Sequence, residues 1–322
     1  VIGRENMGVL QWTGLHAVDT PNCRLDVDGI ERNGRQGYRQ TLYTPEGTLF
    51  EERICEPTFM TAAASSHFIK EPDDYRVLLA YFRDMAIHRD TEEFEACVRA
   101  LGEDGLPHTT VPRTPFQQLW IQWVNIQDLA LHMAEYPDLM EEVIAVMTDV
   151  QRRTFEVVCD TVRELPVPYI DVGDNITAPI IGERYFRAYC VPAYNELAAM
   201  LDATGKDVPV FVHMDGDLKP LWAAIGESRV RGLDSMSPPP DNDTSVADAL
   251  AQWPDMRLCI NFPSSVHLKK PGEIYAHAMR ILDEGGRSGR LQIQISENVP
   301  PDVWQTSFPA IVQAIADFTG AG

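Results

Sequence analysis

The sequence predicts an (α/β)8 TIM barrel with an irregular β-rich N-terminal elaboration. Three observations predict it. The second half of the chain alternates short apolar runs with helical stretches five times, which means parallel strands joined by right-handed crossovers. The length, 322 residues, is large for an ordinary domain but suits one barrel. Polar residues gather directly after each apolar run, as the mouth of a parallel barrel requires. Residues 1-322 are therefore read as a single barrel domain, with 1-60 as the elaboration and 105-322 as most of the barrel. A doubly wound open sheet is the alternative, but no GxGxxG or Walker A motif supports a nucleotide fold.

The elements follow in order. Gln40–Thr44, Pro45-Glu46-Gly47 and Thr48–Phe50 read as a hairpin with its turn at Pro-Glu-Gly. Helical patterning runs from Pro72 to about His88, and Asp90-Thr91-Glu92-Glu93 opens another helix with acidic first-turn residues. Leu106–Val111 reads as a short strand, and 115–135 and 137–164 as long helices. The alternation then begins. Strands are expected at Val167–Val172, Val208–His213, Arg231–Ser235, Met256–Asn261 and Leu291–Ile295. Helices are expected at Glu183–Ala203, Leu218–Ile225, Ser245–Ala251, Pro271–Glu284 and Pro301–Phe318.

Composition narrows the function classes. Lys and Arg total 27 against 48 Asp and Glu, a net charge of −21, which argues against nucleic acid and anionic membrane as partners. The six cysteines form no CxxC or zinc-finger spacing and read as reduced thiols of a cytoplasmic protein. No apolar stretch is long enough to span a membrane. The chain begins Val1-Ile2-Gly3-Arg4 with neither initiator Met nor signal peptide, and residues ahead of Val1 are expected.

The strand ends carry the candidate chemistry. They read Gly173-Asp174-Asn175, His213-Met214-Asp215, Asp234-Ser235-Met236-Ser237, Asn261-Phe262-Pro263-Ser264-Ser265 and Ser296-Glu297-Asn298. Side chains alternate along a strand, so His213 and Asp215 can project together. His213, Asp215 and Glu297 supply one nitrogen and two oxygens, the three ligands of an open catalytic metal site, with Asp174 as a fourth candidate. Zinc, manganese or iron would suit such donors. Each residue also has an ordinary use: Asp215 as a helix cap, Glu297 in a salt bridge. Asp174, Asn175 and His213 are the catalytic candidates. Asn261, Phe262, Trp120 and His267 are the candidates for substrate binding, while Trp123 and Phe116 are aromatics of the same possible use or core. His108 is a weaker candidate, and His67, His88, His132 and His277 read as surface or packing residues. No GxSxG motif suggests a nucleophilic hydrolase.

Several motifs together resemble the uroporphyrinogen decarboxylase superfamily. They are Gly173-Asp174-Asn175, Glu183-Arg184-Tyr185-Phe186-Arg187-Ala188-Tyr189 with Pro192-Ala193-Tyr194, and His213-x-Asp215-Gly216. Thr44-Pro45-Glu46-Gly47-Thr48, Glu71-Pro72-Asp73-Asp74-Tyr75 and Arg113-Thr114-Pro115 belong with them. The resemblance runs over nearly the whole chain and implies the same barrel. Its decarboxylases use an Arg-rich N-terminal segment, of which Asn33-Gly34-Arg35-Gln36-Gly37 is only a superficial echo. Its corrinoid-dependent methyltransferases carry a zinc site of the form His-x-Cys with a distant Cys. His213 matches the His, and Asp215 and Glu297 stand where the thiolates would be.

A His/Asp/Glu site is harder and more Lewis-acidic than a thiolate site, and better suited to an ether or phenol oxygen. The resemblance therefore implies transfer of a methyl group from a methoxylated donor, aromatic donors included, to a corrinoid (a cobalamin-type acceptor). Zinc or another divalent metal would bind the ether oxygen, and Asp174 and Asn175 would orient the donor. The corrinoid would sit on a separate protein, since no Asp-x-His-x-x-Gly motif occurs here. A monomer or homodimer is expected. A metal-independent decarboxylase or lyase using Asp174 and His213 is the second reading, and a non-catalytic ligand-binding barrel the third.

Overall fold

The computed structural model describes residues 7–56, 61–295, 299 and 302–320. The strands in chain order are β1 (Val9–Thr13), β2 (His16–Asp19), β3 (Arg24–Arg32), β4 (Arg35–Thr44), β5 (Gly47–Glu56), β6 (Thr61–Ser66) and β7 (Ala86–Arg89). Then follow β8 (Gly105–Val111), β9 (Ile170–Val172), β10 (Val210–His213), β11 (Gly232–Met236), β12 (Arg257–Asn261) and β13 (Leu291–Gln294). The chain divides into two compact units. The first comprises the described residues of Val1–Gly14, Glu92–Val111 and Val162–Gly322, the second Leu15–Thr91 and Pro112–Thr161.

The first unit is built on a seven-stranded sheet in the order β1-β8-β9-β10-β11-β12-β13. Every pairing in it is parallel. Sequence neighbours are sheet neighbours throughout, with no reversal of strand order. A doubly wound sheet needs such a reversal, so the order is that of a barrel-type α/β fold. Eight strands closing on themselves were expected; among the described residues there are seven, and β13 and β1 do not pair. One face of the central strands β9–β12 is apolar and covered: Ile170, Val172, Val210, Val212, Leu233, Leu258 and Ile260 are all buried. Burial of this face supplies the driving force for the sheet, at about 25 cal/mol per Å² of apolar surface.

Register sets the opposite face. Thr110 pairs with Asp171, Asp171 with Phe211, and Phe211 with Gly232. His213 pairs with Asp234, Cys259 with Gln292, and Asn261 with Gln294. Paired residues in a sheet point the same way, so these side chains, with His108 two positions before Thr110, line one interior face. Gly232 takes no larger residue, because a Cβ there would lie 2.4 Å from the Phe211 ring.

The second unit holds a four-stranded antiparallel sheet, β3-β4-β5-β6, and the β2–β7 pair. The expected Pro-Glu-Gly hairpin is present, with Thr44 opposite Gly47. Asn33 and Gly34, at φ 52° and 76°, form the tight turn between β3 and β4. The helix expected to reach His88 stops at Asp84, and β7 follows. Pairing of His16–Asp19 with Ala86–Arg89 overrides the local helical pattern. The helix expected over 115–135 is three pieces, with a π-turn at Leu119–Trp123 and a new start at Ile126. Asn125 caps that start by accepting from the Gln127 amide at 2.8 Å. In the first unit, the stretch expected as one helix over Glu183–Ala203 is broken by a π-turn at Phe186–Cys190. All six cysteines are free, and among the described residues no helix is long and apolar enough to cross a membrane.

Candidate active site

His213 ends β10, and the loop that follows is held on both sides. The Gly216 amide donates to the Ile176 carbonyl at 3.1 Å, and the Ala178 amide to the Asp217 carbonyl at 2.8 Å. The Asn242 amide group donates to the Asp215 carbonyl at 2.7 Å. Gly216 is required by closeness rather than by φ, since a Cβ would lie 2.2 Å from the Thr177 Cβ. The following helical turn is capped by Asp243, whose carboxylate accepts from the Leu218 and Lys219 amides. Asp215 is therefore not spent as a cap.

The Asp215 carboxylate instead faces His213. His213 Nε2 lies 3.7 Å from Asp215 Oδ2, which also accepts from Asn175 Nδ2 at 3.1 Å. The other ring nitrogen, Nδ1, lies 2.9 Å from Asp234 Oδ2. Asp234 is held by more than His213: Ser235 Oγ donates to its Oδ2 at 3.0 Å and Gln294 Nε2 to its Oδ1 at 3.0 Å. A bulge makes this possible. The β11–β12 register shifts between Leu233 and Met236, and Ser235 has a left-handed φ of 59°, so Asp234 and Ser235 both turn inward.

Exposure falls with depth. The side chains of Asp215, His213 and Asp234 are 32%, 13% and 5% exposed. Burial alone would lower the His213 pKa, but contact with Asp215 and then Asp234 outweighs it and pushes the pKa up to about 10. Burial would raise Asp215 and Asp234, and the contact with His213 turns both below the usual carboxylate range instead.

Deeper still lie His108 and Asp171, both fully enclosed. His108 Nδ1 is 2.8 Å from the Tyr169 hydroxyl, and His108 Nε2 is 3.3 Å from Asp171 Oδ2. Burial, reinforced by Asp234, pushes Asp171 up to about 6 against the pull of His108. Donor atoms of His108, Asp171 and Asp234 all lie within 4.8 Å of one another. Asp171 is not among the residues the sequence suggests, Asp234 stands there only as part of a strand end, and His108 is only a weaker candidate. The available signal was a carboxylate inside the apolar run Tyr169-Ile170-Asp171-Val172.

The remaining candidates are placed as follows. Asp174 is fully buried, and Tyr194 donates its hydroxyl to Asp174 Oδ2 at 2.5 Å. Asn261 donates to Ser237 Oγ at 3.5 Å, while its own Oδ1 is buried without a partner. Phe262 packs edge-on against His267 with ring centroids 5.0 Å apart, and His267 Nδ1 bonds Ser307. Trp120 belongs to the second unit, where its indole donates to Gln117 at 2.9 Å. Glu297 lies outside the described residues. The arrangement around His213 thus brings His213, Asp215 and Asn175 together and adds Asp234.

A metal would fit this site on two observations. A histidine whose Nδ1 is tied to a carboxylate presents Nε2 as a fixed ligand atom. A carboxylate oxygen 3.7 Å from Nε2 is suitably spaced to share an ion with it.

A family model for uroporphyrinogen decarboxylase (URO-D) matches residues 118–318, well over half of the chain. No curated protein sequence matches this one. Among solved structures, a methyltransferase from Methanosarcina mazei is similar at a TM-score of 0.55 and 13% identity, over 81% of this chain and 73% of that one. At that identity the likeness is one of fold. A B12-independent methionine synthase from Shewanella sp. W3-18-1 gives a TM-score of 0.44 and 9% identity, over 84% of this chain and 76% of its own.

Proposed function

The chain belongs to the uroporphyrinogen decarboxylase family, and from that premise we propose a metal-dependent methyltransferase. It moves a methyl group from an O-methyl donor, aromatic methoxy compounds included, to a corrinoid carried by a separate protein. The observation that carries this reading is the His213 pair of contacts: Nδ1 anchored on Asp234 at 2.9 Å and Nε2 facing Asp215 Oδ2 at 3.7 Å. The fold likeness to the Methanosarcina mazei methyltransferase is in keeping with it.

His213 Nε2 and Asp215 would hold the cation, with Glu297 as the third ligand expected from the sequence. A divalent cation there supplies Lewis acidity at the donor oxygen. Asp234 fixes the His213 ring through Nδ1, and Nε2, once a cation displaced its proton, would be the ligating nitrogen. Asn175 fixes the rotation of the Asp215 carboxylate. A reduced corrinoid would supply the electron pair for the new bond to the methyl carbon, while the breaking carbon–oxygen bond would leave its pair on the oxygen, to be protonated from solvent. Phe211, two residues before His213 on the same strand face, is buried against Gly232.

Decarboxylation is less well supported. Arg35 pairs with Glu56, while Arg32 and Arg39 both pair with Glu52, so arginines around the echo motif are engaged within the β3–β6 sheet. The test is a screen of methoxylated donors with a reduced corrinoid, with and without chelator. Chelator-sensitive methylation of the corrinoid supports the reading. Turnover that chelator leaves untouched overturns it.

A further inference from the structure

We infer that His108, Asp171 and Asp234 form a second cation site, taking a first-row divalent ion of the Mn2+, Fe2+ or Zn2+ class beneath His213. The inference stands on donor geometry and on missing partners. One nitrogen and two carboxylates converge, with their ligand atoms within 4.8 Å of one another. His108 is 3% exposed and Asp171 0% exposed. Yet Asp171 Oδ1 has no hydrogen-bond partner, and His108 Nε2 and Asp171 Oδ2 have only each other, at 3.3 Å. A buried carboxylate without donors is costly, and native interiors rarely leave one so.

The other polar groups near the cluster are already accounted for. Asp234 has three donors, from His213, Ser235 and Gln294. The Tyr169 hydroxyl lies on the far side of the His108 ring, at Nδ1. That contact does for His108 what Asp234 does for His213. In the tautomer that donates its Nδ1 proton to Tyr169, His108 would turn its Nε2 lone pair toward a bound ion. Trp12 lies tilted against the His108 ring, with centroids 4.5 Å apart. A divalent ion would give Asp171 Oδ1 a partner and offset the buried Asp171 charge. One imidazole with two carboxylates is an N/O set, which favours manganese, iron or zinc over copper(I). Asp234 would then belong to both sites, as a ligand below and as the anchor of His213 above.

This inference does not rest on the methyltransferase reading, and the test separates them. Chelator-treated protein is titrated with MnCl2, and free Mn2+ is read from its EPR signal, for wild type, His108→Ala, Asp171→Asn and His213→Ala. The expected result is that His108→Ala and Asp171→Asn each lose an equivalent that His213→Ala retains. Mn2+ binding that is unchanged in His108→Ala and Asp171→Asn overturns the inference. A wild type whose binding is abolished by His108→Ala but kept in His213→Ala supports the inference and removes the metal from the His213 reading. Circular dichroism checks that the variants fold. Should they not, anomalous diffraction from wild-type crystals grown with MnCl2 decides: a peak between His108, Asp171 and Asp234 supports the site, and its absence there overturns it.

Discussion

His213 and Asp234 stand opposite one another in the parallel β10–β11 ladder, and Nδ1 of the one lies 2.9 Å from Oδ2 of the other. Register alone places them on one face, and the bulge after Leu233 brings Ser235 to the same carboxylate. The pair is thus a product of strand pairing rather than of loop conformation, which gives the candidate ligand Nε2 a rigid mount.

Removing that mount should cost metal binding more than folding. Asp234→Ala is expected to weaken divalent metal affinity by about 10–100-fold or more, the range seen when outer partners of metal ligands are lost. Isothermal titration of chelator-stripped protein reads it. Unchanged affinity would show that Asp234 neither orients His213 nor binds metal.

Gly216→Ala should displace the loop that carries Asp215. The added Cβ would meet Thr177 at 2.2 Å, so the loop must move or the protein must absorb an overpacking penalty of about 1–3 kcal/mol. The expected outcome is a lower denaturation midpoint together with weaker metal binding. A variant equal to wild type in both would mean the two loops part freely.

Tyr194→Phe tests the support of Asp174. It deletes the hydroxyl that donates to a fully buried carboxylate and is expected to destabilise the protein by about 1–3 kcal/mol. Urea denaturation measures it, and a change near zero would show that Asp174 does not depend on Tyr194.

His267 should make the protein less stable on mild acidification, against the opposite contribution of Asp171, whose raised pKa favours the folded state between about pH 6 and 4. Burial pushes the His267 pKa down from 6.5 to about 4, with Asp241 opposing only partly. Between those values the unfolded chain binds a proton at His267 that the folded one refuses, so this contribution falls as pH drops through the window and levels below it. Burial also lowers His277 to about 4, so the slope is shared. His267→Gln should therefore lower the slope of denaturation free energy against pH between about pH 6.5 and 4. A variant slope equal to that of wild type would show that His267 titrates normally in the folded state.

The parallel sheet was legible because strands buried on both faces read as short apolar runs between helices. His213-x-Asp215 was legible because it lies directly at a strand end. His108 and Asp171 were not, since they meet only through the β8–β9 register, which sequence does not display. Asp234 ends a visible strand, but its pairing with His213 and the bulge that brings Ser235 to it are not displayed in sequence. The strand at Ala86–Arg89 was hidden for a similar reason: its partner lies at His16–Asp19, far back in the chain, and local helical spacing gave no hint of it.

The most direct measurement is the metal content of wild type and His213→Ala, purified side by side from metal-replete medium. A divalent metal bound by wild type, with an equivalent lost in His213→Ala, is the result expected if His213 and Asp215 hold a Lewis-acidic ion. Equal metal content in the two proteins, or none in either, would contradict a metal centre at His213 and with it the proposed activation of a methyl ether.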